Sequence, residues 1–272
     1  GSVCALGLFM FYYRGYDKWD NIAGNLAGLC ALGIAWFPVT RSGPLDLPGK
    51  VHFISASGFF ILLSCLQAGK EKENWVPLFN GKDLTGWQGL VENPIARSKM
   101  AKEVLAKKQI EANAKVKNNW SVKDGCIWFN GSGENLCSVK EYGDFEMLVD
   151  WKISKKGDSG IYLRGSPQVQ IWDTSRVDAG AQVGSGGLYN NQINQSKPLL
   201  VADNPVGDWN TFRIIMIGEK VSVWLNGVLV VDNVTMENYW ERKIPIFPKG
   251  SIELQAHGTD LGFRDIYVRE IS

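Results

Sequence analysis

The ten residues 144–153 (DFEMLVDWKI) alternate in hydropathy: Phe145, Met147, Val149, Trp151 and Ile153 share one side of an extended chain. Asp144, Glu146, Asp150 and Lys152 lie mostly on the other. A period of two specifies a strand with one face on a core. Similar short runs recur at 160–164, 168–172, 211–217, 221–225, 228–231, 251–257 and 262–269, parted by Gly, Asn and Asp. Asn226-Gly227 between two apolar runs is a two-residue hairpin signal, because both central positions of such a turn need positive φ. The chain has 30 Gly, and 11 Trp, 8 Tyr and 12 Phe, which suits many tight turns around an aromatic core. Ten or more strands in about 200 residues predict an all-β sandwich of the jelly-roll kind.

The first 66 residues read differently. Residues 21–38 carry no charge over 18 residues, and 51–66 carry none over 16. About 17 apolar residues is the lower limit for a spanning helix, so the expectation is an apolar helical membrane segment. Each linker holds two basic residues, Arg14 and Lys18, then Arg41 and Lys50, so charge selects no orientation. Leu62-Leu63-Ser64-Cys65 also resembles a lipoprotein signal with Cys65 as the acylated residue. The predicted division is a membrane or signal-like region 1–69, a charged linker 70–74 and a β domain 75–272. Within that domain Asn93-Pro94 is a helix start, an N-cap followed by Pro. A basic helical insertion over about 94–117 follows, with Met100, Ala101, Val104 and Leu105 as its apolar stripe. It is a solvated helix or a lid over a binding face.

Lys+Arg number 29 against 28 Asp+Glu, so no field favours nucleic acid as a partner. There is no phosphate loop, dinucleotide fingerprint, clustered Cys/His site or nucleophile elbow. Cys126 and Cys137 flank a hairpin-like stretch and either pair or remain two thiols. The informative features are rows of polar residues on strand faces. Ser251, Glu253, Gln255 and His257 form one row opposite Ile252, Leu254 and Ala256. Tyr162 with Arg164 forms a second, and Gln168, Gln170 and Trp172 a third. Amides, carboxylates and aromatics in such rows suit a sugar, whose hydroxyls need polar partners and whose apolar face stacks on a ring. His257 is one of two His in the chain. Its alternatives are a base or ligand and a hydrogen-bonded structural residue. Arg164 is a site residue or an ion-pair partner of Glu146 or Asp173; Asp158 reads as a turn former; Asp173 is a candidate cation ligand.

Eight ordered stretches, LFNGKDLTGW (78–87), WSVKDGCI (120–127), YGDFEMLVDWK (142–152), GDSGIYLRG (157–165), VQIWD (169–173), GDWN (207–210), LNG (225–227) and IELQAHGTDLGFRDIYV (252–268), resemble the 3-keto-disaccharide hydrolase family. They span essentially all of 75–272; residues 1–66 loosely resemble small multi-pass bacterial membrane proteins. The family pattern usually has Asp before His, where this chain has Ala256. The resemblance implies a concanavalin A-like jelly roll acting on an oxidised di- or oligosaccharide. A ketone at C3 acidifies C2–H, so a base can drive loss of the C1 substituent, and water then completes hydrolysis. Such a site needs a base, an oxyanion stabiliser and groups that hold hydroxyls. The expected base is His257 or Glu146. Arg164, or a divalent cation near Asp173, would stabilise the oxyanion. Gln170, Glu253 and Gln255 would hold hydroxyls; Tyr162, Trp172 and Tyr189 would complete the substrate-binding set. The alternatives are a non-catalytic carbohydrate-binding module and a conventional glycosidase using Glu146 with Glu253. A sugar-active domain beside a bacterial membrane segment is expected outside the cytoplasm, in the periplasm or at the cell surface.

Overall fold

The computed structural model describes residues 74–271 and, before them, residues 26, 27, 29–32, 34, 50 and 54–57. The chain divides into two compact units, Gly1–Asn74 and Trp75–Ser272. In the first unit the described residues between positions 26 and 57 are helical, with Ala27 and Ala31 buried one turn apart. No helix among the described residues is long and apolar enough to cross a membrane. Most of the two apolar runs, and Cys65, lie outside the described residues, so the membrane segment expected there has no support in the structure.

The second unit has thirteen strands among its described residues: β1 (Val76–Pro77), β2 (Trp87–Gly89), β3 (Trp120–Lys123), β4 (Cys126–Asn130), β5 (Leu136–Ser138), β6 (Phe145–Ile153), β7 (Asp158–Leu163), β8 (Ser166–Trp172), β9 (Asn210–Ile217), β10 (Lys220–Leu225), β11 (Val228–Thr235), β12 (Glu253–Leu254) and β13 (Asp260–Glu270). Two antiparallel sheets form the sandwich expected of a jelly roll. One has eight strands, in the order β11-β10-β9-β6-β13-β4-β3 with β1 on β13; the other has five, in the order β2-β5-β12-β7-β8. The alternation of β6 holds: Phe145, Met147, Val149, Trp151 and Ile153 are buried. Ile161, Leu163, Val169, Ile171 and Leu254 belong to the same apolar cluster from the five-stranded sheet. Each such side chain contributes about 1.5–3 kcal/mol on burial. The Asn226-Gly227 turn joins β10 to β11 with Leu225 opposite Val228, and both turn residues have positive φ, 51° and 81°.

The helical insertion differs from the single helix expected. It is two helices, α1 (Pro94–Ser98) and α2 (Lys102–Asn119). The Asn93 cap forms as read: its side chain accepts from the Ala96 N–H at 2.9 Å. The apolar stripe does not. Val104 is exposed, and the buried residues of α2 are Ala112 and Val116. They lie a turn apart because α2 docks on β2. A Cβ at Gly89 would come 2.4 Å from the Ala112 carbonyl oxygen, so only Gly permits that approach. The Gln109 side-chain amide donates to Gly89 O at 2.8 Å, and Gly89 N–H donates to Asn113 Oδ1 at 3.0 Å. The helix thereby covers an edge strand that would otherwise offer unpaired backbone groups. Cys126 and Cys137 are free thiols, on β4 of one sheet and β5 of the other. The pairing is excluded, and burial pushes the Cys137 thiol up to about 12.

Candidate active site

The outer face of the five-stranded sheet collects the polar rows. Register places Glu253 beside Tyr162 and Cys137, Gly160 opposite Gln170, and Asp158 opposite Trp172. Beyond β12 the Gln255 N–H continues the ladder to Gly160 O at 3.0 Å. Gly160 leaves room for a neighbour: a Cβ there would sit 2.8 Å from the Gln168 side-chain carbon Cδ. The result is a cleft of about 280 Å³ floored by Asp158, Tyr162, Gln168, Gln170, Trp172, Gln255 and His257. Tyr189 and Asn190 form one wall, Tyr239 and Trp240 another.

Asp158 is the hub. Its Oδ2 accepts from Arg176 Nη1 at 2.8 Å, and its Oδ1 accepts from Gln170 Nε2 at 2.8 Å. His257 Nδ1 lies 4.0 Å from Asp158 Oδ2, and the imidazole is more than half exposed. Gln168 in turn donates to Gln170. Tyr162 Oη accepts from Gln255 Nε2 at 3.3 Å, which leaves the phenol hydrogen to donate elsewhere. Burial, reinforced by Glu253, pushes that phenol up to about 12, so it is a protonated donor at neutral pH. Trp172 is held by Nε1–H to Gly184 O at 2.8 Å, and Tyr189 meets it edge-on with centroids 5.5 Å apart. The side-chain oxygens of Gln255 and Asn190 are buried and accept no hydrogen bond from the protein. Both belong to residues of this cleft, and such orphaned acceptors are costly unless a donor reaches them.

Six expected site residues therefore converge: His257, Gln170, Gln255, Tyr162, Trp172 and Tyr189. Glu253 lies on the same sheet face, 1% exposed, in an adjoining cavity. Burial pushes its carboxyl up to about 7, against the opposing pull of the Arg97 charge and of bonds from Asn135 and Ser251.

Three other expectations need correcting. Glu146 is on β6, in the other sheet. It is 2% exposed and clamped by Arg213 at 2.5 Å and Arg269 at 2.5 Å. It shares no face with His257, and the Glu146/Glu253 pair of a conventional glycosidase does not assemble. Arg164 is 2% exposed, and its guanidinium is spent on Gly143 O, Gly218 O, Phe247 O and Asp144. It ties the two sheets, is buried, and does not line the cleft, so it is not placed to meet an oxyanion there. Asp173 caps a turn: one oxygen accepts from Lys156 N–H at 2.7 Å and the other from Ser175 N–H at 2.8 Å. Burial opposes its ionisation, but these amides outweigh it and lower the carboxyl below its usual range. Among the described residues no group of three or more His, Cys, Asp or Glu could hold a metal ion.

Sequence reasoning missed Arg176, Asn190, Tyr239 and Trp240, and set Asp158 aside as a turn former. Asp158 had a signal, since period two puts it on the face of Gly160 and Tyr162. The departure at Ala256 also resolves. Its side chain packs toward the core, opposite to His257. The carboxylate near His257 comes from Asp158 on the neighbouring strand.

Residues 74–269 match the family described as the 3-keto-alpha-glucoside-1,2-lyase-like domain. A 3-keto-disaccharide hydrolase of Bacteroides thetaiotaomicron is 23% identical over 259 residues, covering 76% of this chain and 82% of its own length. Two solved Parabacteroides distasonis structures, assigned as glycosyl hydrolases, share the fold. One has a TM-score of 0.55 at 22% identity, covering 75% of this chain and 97% of that one. The other has a TM-score of 0.52 at 23% identity, covering 72% and 99%. The chain belongs to the 3-keto-alpha-glucoside-1,2-lyase-like domain family and is a glycoside-cleaving hydrolase.

Proposed function

We propose that the cleft cleaves glycosides already oxidised at C3, by elimination followed by hydration. The observation that carries this is the His257–Asp158–Arg176 cluster at one end of a row of sugar-holding amides, in a domain whose family description names a 1,2-lyase. His257 takes the proton from C2, which the C3 ketone acidifies. Asp158, fixed by Arg176 and Gln170, faces the imidazole at 4.0 Å, one short movement from accepting its Nδ1–H. Tyr162 donates its hydroxyl hydrogen to the enolate oxygen. The C1–O bond breaks as the C1–C2 double bond forms. The imidazolium gives its proton to the departing oxygen; water then adds its oxygen to C1, and the proton that His257 takes from it is delivered to C2. Gln255 and Asn190, whose side-chain oxygens lack a protein donor, hold hydroxyls over the Gln168–Gln170 pair, and Trp172 with Tyr189 gives the ring a stacking face. This chemistry needs no carboxylate pair across one glycosidic bond, in keeping with the separation of Glu146 from Glu253.

The test offers the chain a C3-oxidised disaccharide and the parent disaccharide, each with and without EDTA. Monosaccharide release from the oxidised sugar alone is expected. Cleavage of the parent would overturn the keto-dependent route, and binding without cleavage would leave a carbohydrate-binding module. Sensitivity to EDTA would add a metal that the described residues do not account for. His257→Ala should lower kcat at least ~100-fold. A location outside the cytoplasm belongs to the same proposal, supported by the apolar runs before residue 70; fractionation of cells making the full chain checks it.

A further inference from the structure

A second cavity, of about 380 Å³, adjoins the first, and Tyr162 and Trp240 line both. Its floor is Glu253 with Asn135, and its roof is Pro94 of α1 with Lys108, Glu111 and Lys115 of α2. The dividing wall is fixed, because Trp240 Nε1–H donates to Gly165 O at 2.7 Å. Gly165 also keeps the space open: a Cβ there would lie 2.8 Å from Pro94 Cγ and 3.4 Å from Glu253 Oε1. Glu253 is buried but poorly bonded. It accepts from Ser251 Oγ at 3.2 Å and from Asn135 Nδ2 at 3.5 Å, where a carboxylate can accept about four hydrogen bonds.

We propose that this cavity is the subsite for the departing sugar ring, with Glu253 and Asn135 receiving its hydroxyls beneath the helical insertion. The proposal rests on the keto-glycoside reading of the first cleft and names the second ring's place. Charge favours a neutral polyol there. Glu92, Glu111, Glu134 and Glu253 outnumber Lys108 and Lys115, and Lys108 is already bonded to Glu92 at 2.9 Å. An anionic group would find no free excess of positive charge, whereas hydroxyls can donate to the carboxylates. The basic insertion thus acts as a specificity element.

The test compares two substrates that share the oxidised ring: a C3-oxidised disaccharide and the C3-oxidised methyl glycoside, which has no second ring. Two variants are used. Glu253→Gln removes the charge at nearly constant size, and Lys115→Trp, on the exposed side of α2, fills the mouth. In each, the ratio of kcat/KM for disaccharide over methyl glycoside should fall about tenfold or more, the scale of losing a hydrogen bond to a charged group. A ratio unchanged in both variants overturns the subsite. If the wild-type chain cleaves neither oxidised substrate, the functional reading fails instead. The subsite is then judged by calorimetric titration with the parent disaccharide and the methyl glycoside: Lys115→Trp must weaken the disaccharide alone, and equal effects on both refute it.

Discussion

Glu253→Gln should make the protein more stable at pH 8 and nearly neutral in effect at pH 4.5. In the folded state burial lifts the carboxyl from 4.5 to about 7. A raised carboxyl pKa means that the native state holds its proton more tightly than the unfolded chain. Stability is therefore lost as pH rises from about 4.5, and the loss is complete above about 7. At ~1.4 kcal/mol per pH unit the ionised carboxylate costs the fold about 3 kcal/mol. Glutamine cannot ionise, so it escapes that cost while keeping the shape. Tyr162 and Cys137, beside Glu253, are each pushed up to about 12 and do not titrate in this window. Urea unfolding of wild type and variant at both pH values, followed by Trp fluorescence, gives the gap directly. It should widen by about 3 kcal/mol in favour of the variant, or roughly 6–12 °C in Tm for a domain of this size. A gap that stays constant from pH 4.5 to 8 would refute the argument, and with it the view that Glu253 is desolvated.

Glu237 ties the two walls of the first cleft. Its carboxylate accepts from the backbone N–H groups of Gln192, Ile193 and Asn194 at 2.7–2.9 Å, just after Tyr189 and Asn190, and just before Tyr239 and Trp240 in its own segment. Burial opposes its ionisation but these bonds prevail and bring it down to about 2, so its anchoring is present above about 4.5 and fades toward pH 2. Glu237→Gln should raise KM several-fold while lowering kcat by less, read from steady-state kinetics on the oxidised disaccharide. Glu146→Ala leaves Arg213 and Arg269 together without their shared carboxylate. Because both arginines are partly exposed, it should destabilise by only about 1–3 kcal/mol in denaturant unfolding, with kcat of the folded fraction unchanged. Gly227→Val forces a branched residue to φ 81° and should cost about 1–2 kcal/mol in the same assay.

Several features of this chain were legible one segment at a time. Period two in 144–153, the turn at Asn226-Gly227 and the cap at Asn93 each depend on a few neighbouring residues, and each appears in the structure where it was read. The rows through Gln170, Gln255 and His257 were legible for the same reason: alternation says which side chains share a face of one strand. The ordered motifs carried the family, because they record the whole domain's pattern.

What alternation cannot say is which sheet a strand joins. β6 and β7 are consecutive in the chain but lie in different sheets. That alone puts Glu146 on the opposite side of the sandwich from His257. Arg164 finds partners at Gly143, Gly218 and Phe247, and Asp158 meets Arg176 and His257 from a different strand and a loop. No local pattern encodes such meetings, since they depend on long-range packing of the two sheets. The same packing turns Glu253 from a solvated member of a polar row into a buried acid beneath α2. Residue type and spacing supply the chemistry available to each strand face, while the stacking of the sheets selects which of those groups meet and how much water reaches them.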